Sequence, residues 1–366
     1  MHQTKQMKQL KRVLIMAGGT GGHVFPGLAV AQFLRENGVD VHWLGTRQGL
    51  ESRLVPAANI PLHLVTINGL RGKGIKTLMA APLKISSALK QSVRIMKEVQ
   101  PDIVIGMGGF VSGPGGMASW LLRHPLVIHE QNAKAGLTNK ILARFSRRIL
   151  EGFPHAFRQQ SKVIAVGNPV RHEIESLLPP QQRIHSTGSP FRLLVLGGSL
   201  GAQGLNEIVP RALAQLQTEE RPEIWHQTGD KHFDVTKKLY ESMGVNAKLT
   251  PFIQDMAEAY AWANMVLCRA GASTVAELCA AGLGAILVPY PYAVDDHQTA
   301  NAGFMVSNHA ALCIQQTELT ESRLADIVRQ FSDSPEKRLA MAEAAYQLRK
   351  VNVAEKVYEI LCDVIS

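Results

Sequence analysis

His23 closes a run of bare backbone, MAGGTGGH over 16–23. Glycine amides beside one imidazole are the first place in this chain where chemistry could be done. Glycines let a ligand approach the backbone and meet its N–H donors. A helix N-terminus, which the following LAVAQFL predicts from about residue 27, adds partial positive charge. Phosphate suits such a turn, although a plain tight turn is the simpler reading of any one loop. Two more glycine turns follow β-like runs, GMGGFVSGPGG (106–116) and LGGSLGAQ (196–203). Three together favour a binding cleft that tolerates anions. At a helix N-terminus an imidazole is held neutral, so His23 could take a proton from a substrate hydroxyl. Capping the helix or binding a phosphate is an equal alternative. Glu130, in HEQN, is a reserve base or a group that orients another. In RAGASTVAELCAAG (269–282), Ser273 and Thr274 could cap a helix whose mouth holds phosphate. Glu277, one turn in, could accept hydrogen bonds from two adjacent ribose hydroxyls. Taken alone, it more simply favours the helix dipole.

Two familiar readings fail. No loop has the lysine of a P-loop. The 16–23 turn lacks the third glycine of a dinucleotide fingerprint, and the next strand, ending WLGT, carries no ribose-binding acid. A nicotinamide oxidoreductase is therefore disfavoured. The four cysteines form no C-x-x-C pair, which disfavours a zinc site or a disulfide framework and suits a reducing cytosol. No D-x-D motif is present to hold a diphosphate through a metal.

These residues need elements to position them. Apolar β-like runs alternate with helical patterns from 12 to 167, and the alternation restarts at RLLVLGGS (192–199). That order predicts an α/β chain of two Rossmann-like, doubly wound parallel sheets facing a cleft. Ligands of such sheets sit beyond the carboxyl ends of the strands. The expected domains are 1–168 and 169–346, with a last helix at about 347–366 packing back on the first. Charge divides the same way: residues 1–168 carry a net +15 and residues 169–366 a net −6, within a total of +9. A basic first half should meet something anionic, nucleic acid or a membrane surface. No stretch is long and apolar enough to span a bilayer, and the N-terminus has no signal-peptide core.

GGTGGHVFPG, GGFVSGPGG, HEQNAKAGLTNK, GNPVR, GGSLGAQGLN, AGASTVAEL and DDHQTANA occur in this order over roughly residues 12 to 360. In this order they resemble glycosyltransferase family 28. More narrowly, they are similar to the bacterial N-acetylglucosaminyltransferases that act on undecaprenyl-pyrophosphoryl-N-acetylmuramoyl-pentapeptide. The resemblance implies a GT-B fold. It also implies inverting transfer of N-acetylglucosamine from UDP-GlcNAc to lipid I, forming the β-1,4 link of lipid II for peptidoglycan. UDP-GlcNAc would be a substrate, and no cofactor or metal would be required. The second domain would hold the donor. There Glu277 would grip the ribose, and Ser199 with the helix mouth at Ala272, Ser273, Thr274, Val275 and Ala276 would take the diphosphate. Arg171 and Ile253 would lie by the uracil, and Gln298 and Asn301 would read the sugar hydroxyls. Thr20, Gly21, Gly22 and Asn132 would reach the donor from the first domain. His297 stands where the family usually has a second Gln.

The first-domain loops would then present amides to the acceptor's pyrophosphate, through Gly18, Gly19, Gly108, Gly109, Gly113, Gly115 and Gly116. An acceptor carried by an anionic membrane accounts for the basic half. Residues 71–97 are rich in Lys and Arg and free of acids, and Lys73, Ile75, Lys76, Leu78, Met79, Leu83 and Lys84 are the expected membrane surface. A solvated charged face is the plainer alternative. In the helix that follows, Ile85, Leu89, Val93 and Met96 form one apolar stripe, read as core. The expected location is the cytoplasmic face of the bacterial inner membrane, with other cell-wall or division proteins as further partners and no nucleic acid. The rivals are another inverting GT-B enzyme with a UDP-sugar and a lipid acceptor, an oxidoreductase, and a non-catalytic sugar-nucleotide sensor.

Overall fold

The structure, a computed structural model, describes residues 9–67, 81–158, 160–184, 190–198 and 200–366. The chain divides into two compact units, 1–170 with 352–366, and 171–351.

In the first unit the elements run β1 (Arg12–Met16), α1 (Gly21–Glu36), β2 (Asp40–Gly45), α2 (Glu51–Ala57) and β3 (Leu62–Leu64). They continue with α3 (Ala81–Val99), β4 (Ile103–Gly106), α4 (Ser112–Leu121), β5 (Leu126–Glu130), α5 (Leu137–Leu142), β6 (Arg148–Glu151) and β7 (Val163–Ala165). The sheet is parallel, in the order β3-β2-β1-β4-β5-β6-β7. The two-residue period of a strand sorts β1 between two faces. Val13 and Ile15 join a core with Val30, Ala31 and Leu34 of α1. Leu14 and Met16 join the opposite core with Ile95, Met96 and Val99 of α3.

The second unit runs α6 (His172–Glu175), α7 (Pro180–Arg183), β8 (Arg192–Leu196), α8 (Gln203–Ala214), β9 (Glu223–Gln227), α9 (Phe233–Ser242) and β10 (Lys248–Thr250). After these come α10 (Met256–Trp262), β11 (Met265–Cys268), α11 (Ala272–Ala281), β12 (Gly284–Leu287), α12 (His297–Val306), β13 (Ala311–Cys313), α13 (Glu321–Ser332) and α14 (Pro335–Gln347). Its sheet is again parallel, in the order β10-β9-β8-β11-β12-β13.

The last helix, α15 (Val353–Ile365), belongs to the first unit. Its buried residues Val353, Val357 and Leu361 recur every four positions and enter the core that holds Val13 and Ile15. Phe33 of α1 meets Tyr358 at 6.0 Å between ring centres.

Three helical readings change. Helix α1 begins at Gly21 rather than near 27, with Pro26 inside its first two turns. The fixed φ of Pro26 is helical, and only one backbone N–H bond is given up. Residues 112–116, read as the end of a glycine turn, open the helix α4. On α3 Leu89, Val93 and Met96 pack on the core as read, but Ile85 is exposed, and Ala88, Ser92, Ile95 and Val99 complete the buried face.

Candidate functional site

Chain reversal across each sheet brings the glycine loops together in pairs. In the first unit, β1 and β4 are neighbours although the chain leaves them in opposite directions. The loops that follow them, 17–20 and 107–111, therefore adjoin at the switch point where α/β sheets bind ligands. Met107 N–H donates to Met16 O at 2.8 Å, and Ser112 Oγ donates to Met16 O at 3.1 Å. Gly109 (φ +84°) lies so close that a Cβ there would fall 2.3 Å from Gly18 O. A Cβ at Gly108 (φ +98°) would fall 2.5 Å from Cδ2 of His23. The imidazole thus lies against bare backbone in the first turn of α1, half-buried. Thr20 is the exposed N-cap, and Gly21 and Gly22 open the helix. Nothing crowds a Cβ at Gly22, whose nearest neighbour is Thr20 Oγ1 at 3.7 Å, whereas at Gly21 it would meet Phe25 at 2.9 Å.

Four of the expected acceptor-side glycines do other work. Gly19 N–H is taken by Glu51 Oε2 at 2.9 Å, and a Cβ at Gly18 would strike Glu51 Oε1. Gly115 N–H donates to Val111 O, and a Cβ there would meet Met16 Sδ at 2.3 Å. At Gly116 it would meet Leu142 at 2.6 Å. These last two are buried where α4 packs on the sheet and on α5, so pyrophosphate contact by Gly115 and Gly116 is withdrawn. Gly113, in the first turn of α4, is half-buried and has only Thr138 nearby, at 3.7 Å.

Glu130, at the end of β5, is 2% exposed and accepts four hydrogen bonds. They come from Asn132 N and Nδ2 at 3.1 Å each, Gly136 N at 3.0 Å and Asn139 Nδ2 at 2.9 Å. That environment suits the orienting role: the carboxylate shapes the loop that carries Asn132. The neighbouring His129 is buried, with Nε2 donating to Gly167 O at 2.9 Å and Nδ1 accepting from Gln131 at 3.0 Å. Burial pulls its imidazole down to about 4, so it is neutral and structural.

The second unit repeats the geometry, with β8 and β11 adjacent. At the mouth of α11, Glu277 sits between two donors. Arg171 Nη2 approaches Oε1 at 3.1 Å and Tyr260 Oη donates to Oε2 at 3.0 Å. Arg171 therefore sits first with Glu277, as the N-cap of α6. Burial, then the Glu277 charge, hold the Tyr260 phenol far above its usual range, so it stays protonated and donates. Ser273 and Thr274 are half-buried in the opening turn. Ala272 is buried there, and Val275 is buried with its N–H donated to Gly271 O, so Val275 supplies packing rather than an amide. Ala276, fifth in the helix, lies beyond the open turn.

The sugar-side pair separates. Gln298 is half-buried and accepts from Tyr290 N at 2.8 Å. Asn301 is fully buried and donates to Ala270 O at 3.1 Å, tying α12 to the turn before α11. A direct sugar contact by Asn301 is withdrawn. Asp295 and Asp296, just before α12, both have left-handed backbone, a local strain of the kind found at ligand sites. Ile253 is buried at 5% exposure. Ser199, Lys73, Ile75, Lys76, Leu78 and Met79 lie outside the described residues. Sequence reasoning missed Tyr260 and Glu51, whose positions carry no motif.

Two Rossmann-like parallel-sheet units, each with paired loops at its switch point, are the architecture of the GT-B fold. Residues 13–151 match the glycosyltransferase family 28 N-terminal domain and residues 192–357 its C-terminal domain, and the chain belongs to that family. A relative from Nitrosococcus oceani is 52% identical over 97% of this chain and 99% of its own length. One from Marinobacter nauticus is 51% identical over 95% and 96%. Both are named UDP-N-acetylglucosamine–N-acetylmuramyl-(pentapeptide) pyrophosphoryl-undecaprenol N-acetylglucosamine transferase. The crystal structure of Acinetobacter baumannii MurG superposes with a TM-score of 0.82 at 41% identity, covering 96% of this chain and 99% of that one. The glycosyltransferase VinC, in complex with dTDP, shares the fold at 17% identity and a TM-score of 0.65.

Proposed function

We propose that this glycosyltransferase moves N-acetylglucosamine from UDP-GlcNAc to the 4-hydroxyl of the muramoyl sugar of lipid I, giving lipid II with inversion. The observation that carries this reading is near-full-length identity of 52% to a relative of that name. In one displacement the acceptor oxygen attacks the anomeric carbon as its bond to the diphosphate breaks, and the hydroxyl proton passes to His23. The departing negative charge is stabilised by the N-terminus of α11. The direct test uses radiolabelled UDP-GlcNAc with a lipid I analogue, while nicotinamide absorbance is followed in parallel. Labelled lipid II is expected; donor binding without transfer would leave a sensor instead.

We assign the opening turn of α1 at Gly21 and Gly22 to the acceptor's pyrophosphate, rather than to the donor as the resemblance implied, because Gly18 and Gly19 are engaged by Glu51. Gly22→Ala separates binding from folding, because the new methyl enters open space. It should raise stability by about 0.4–1 kcal/mol through lost chain entropy. Acceptor KM should nevertheless rise severalfold, since the methyl blocks close approach. A more stable enzyme with an unchanged acceptor KM would end this assignment.

Among the described residues no helix is long and apolar enough to cross a membrane. Membrane contact through the basic segment before and at the start of α3 is supported by Leu83, 77% exposed beside Lys84. Each cation near an anionic surface contributes about 1 kcal/mol. Reversing the charge of Lys73, Lys76 and Lys84 together should abolish flotation with anionic liposomes. Flotation equal to wild type would remove this surface.

A further inference from the structure

Glu51 is a carboxylate with no exposed surface, an expensive arrangement unless every lone pair is used. Its first helical turn closes on the loop between β1 and α1. Oε2 accepts from Gly19 N at 2.9 Å, and Leu50 N–H donates back to Gly19 O at 3.3 Å. Oε1 accepts from Thr46 N at 2.9 Å and Thr46 Oγ1 at 2.7 Å. Three glycines clear the slot. A Cβ at Gly18 would fall 2.7 Å from Oε1, one at Gly45 2.7 Å from Cγ, and one at Gly49 1.9 Å from Oε2. Gly19 itself has φ +93°, so this backbone shape needs holding. Sequence separates these parts by 32 residues, yet both polar groups of Gly19 end on positions 50 and 51.

We propose that Glu51 is a positioning residue for the transfer reaction. By clamping Gly19 it sets where α1 begins, and hence where the Gly21 and Gly22 amides and the His23 imidazole point. Its charge also occupies the Gly18–Gly19 end of the loop, which leaves the helix opening as the place for an anion. This rests on the reading of that loop as the acceptor side.

Glu51→Gln isolates the contact. If the amide oxygen keeps the two Thr46 donors, the new NH2 faces the Gly19 N–H, donor against donor. Thr46→Val is the control: it removes one donor from Oε1 and leaves Gly19 clamped. Both variants should melt lower than wild type. Only Glu51→Gln should lower kcat/KM for the acceptor, by about 10²-fold as expected for a misplaced reacting group, while calorimetric affinity for UDP stays as in wild type. Glu51→Asp, one methylene short, should follow Gln and serves if the amide variant does not accumulate. Unchanged acceptor kinetics in Glu51→Gln or Glu51→Asp would overturn the proposal, as would a parallel kinetic loss in Thr46→Val. If Gly22→Ala also leaves the acceptor KM unchanged, the acceptor-side reading itself has failed. If Gly22→Ala shifts it and the Glu51 variants do not, only the positioning role is lost.

Discussion

His23→Ala should lower turnover by about 10²–10⁴-fold, the usual worth of a positioned general base, with donor affinity nearly unchanged. The imidazole lies half-buried on the bare backbone of Gly108, in the opening turn of α1. It therefore has a fixed address beside the amides that would meet the acceptor. Removing it would take away the proposed proton acceptor and leave the proposed donor site at α11 intact. His23→Gln, which keeps polarity and much of the volume, should be nearly as slow, because an amide is no base at neutral pH. Turnover within a few-fold of wild type in both variants would leave His23 as a cap or phosphate ligand only.

The second large effect belongs to Glu277. Its two oxygens already engage Arg171 and Tyr260 at about hydrogen-bonding distance, so the carboxylate is held at the helix mouth before any ligand arrives. Hydrogen bonds to a charged group contribute about 1.5–3 kcal/mol each, which is roughly 10- to 150-fold in affinity. Glu277→Gln should weaken UDP binding by that order. If a ribose hydroxyl donates to this carboxylate, the variant should also lose any preference for UDP over 2′-deoxy-UDP. Calorimetry with both nucleotides gives the ratio. An undiminished ribose preference in the variant would show that the ribose is read elsewhere.

Much of this arrangement was legible in the residues themselves. The apolar run RVLIM named β1, and the structure sorts Val13 and Leu14 to opposite faces of it. The Gly-rich turns marked the carboxyl ends of β1 and β8, and AGASTVAEL marked α11. The failures share a cause. SGPGG reads as a loop by local propensity, but helix propensity is a weak prior that packing overrides. Gly115 and Gly116 are small there because Met16 and Leu142 need the room. Glu51 stands in a helix of seven residues with a proline inside, too short to show a period. Asn301 sits among polar residues that suggest ligand contact, and only tertiary structure reveals that it is spent on Ala270 O. Side-chain partners more than thirty positions away leave no trace in spacing.

The return of α15 to the first unit has a consequence for biogenesis. A ribosome translates all of 171–351 before it makes the segment that seals Val13, Ile15 and Leu34 from water. Nascent chains usually consolidate from the amino end, domain by domain. Here the earlier-born lobe must wait with an oily flank uncovered until the thirteen residues of α15 arrive as its stopper.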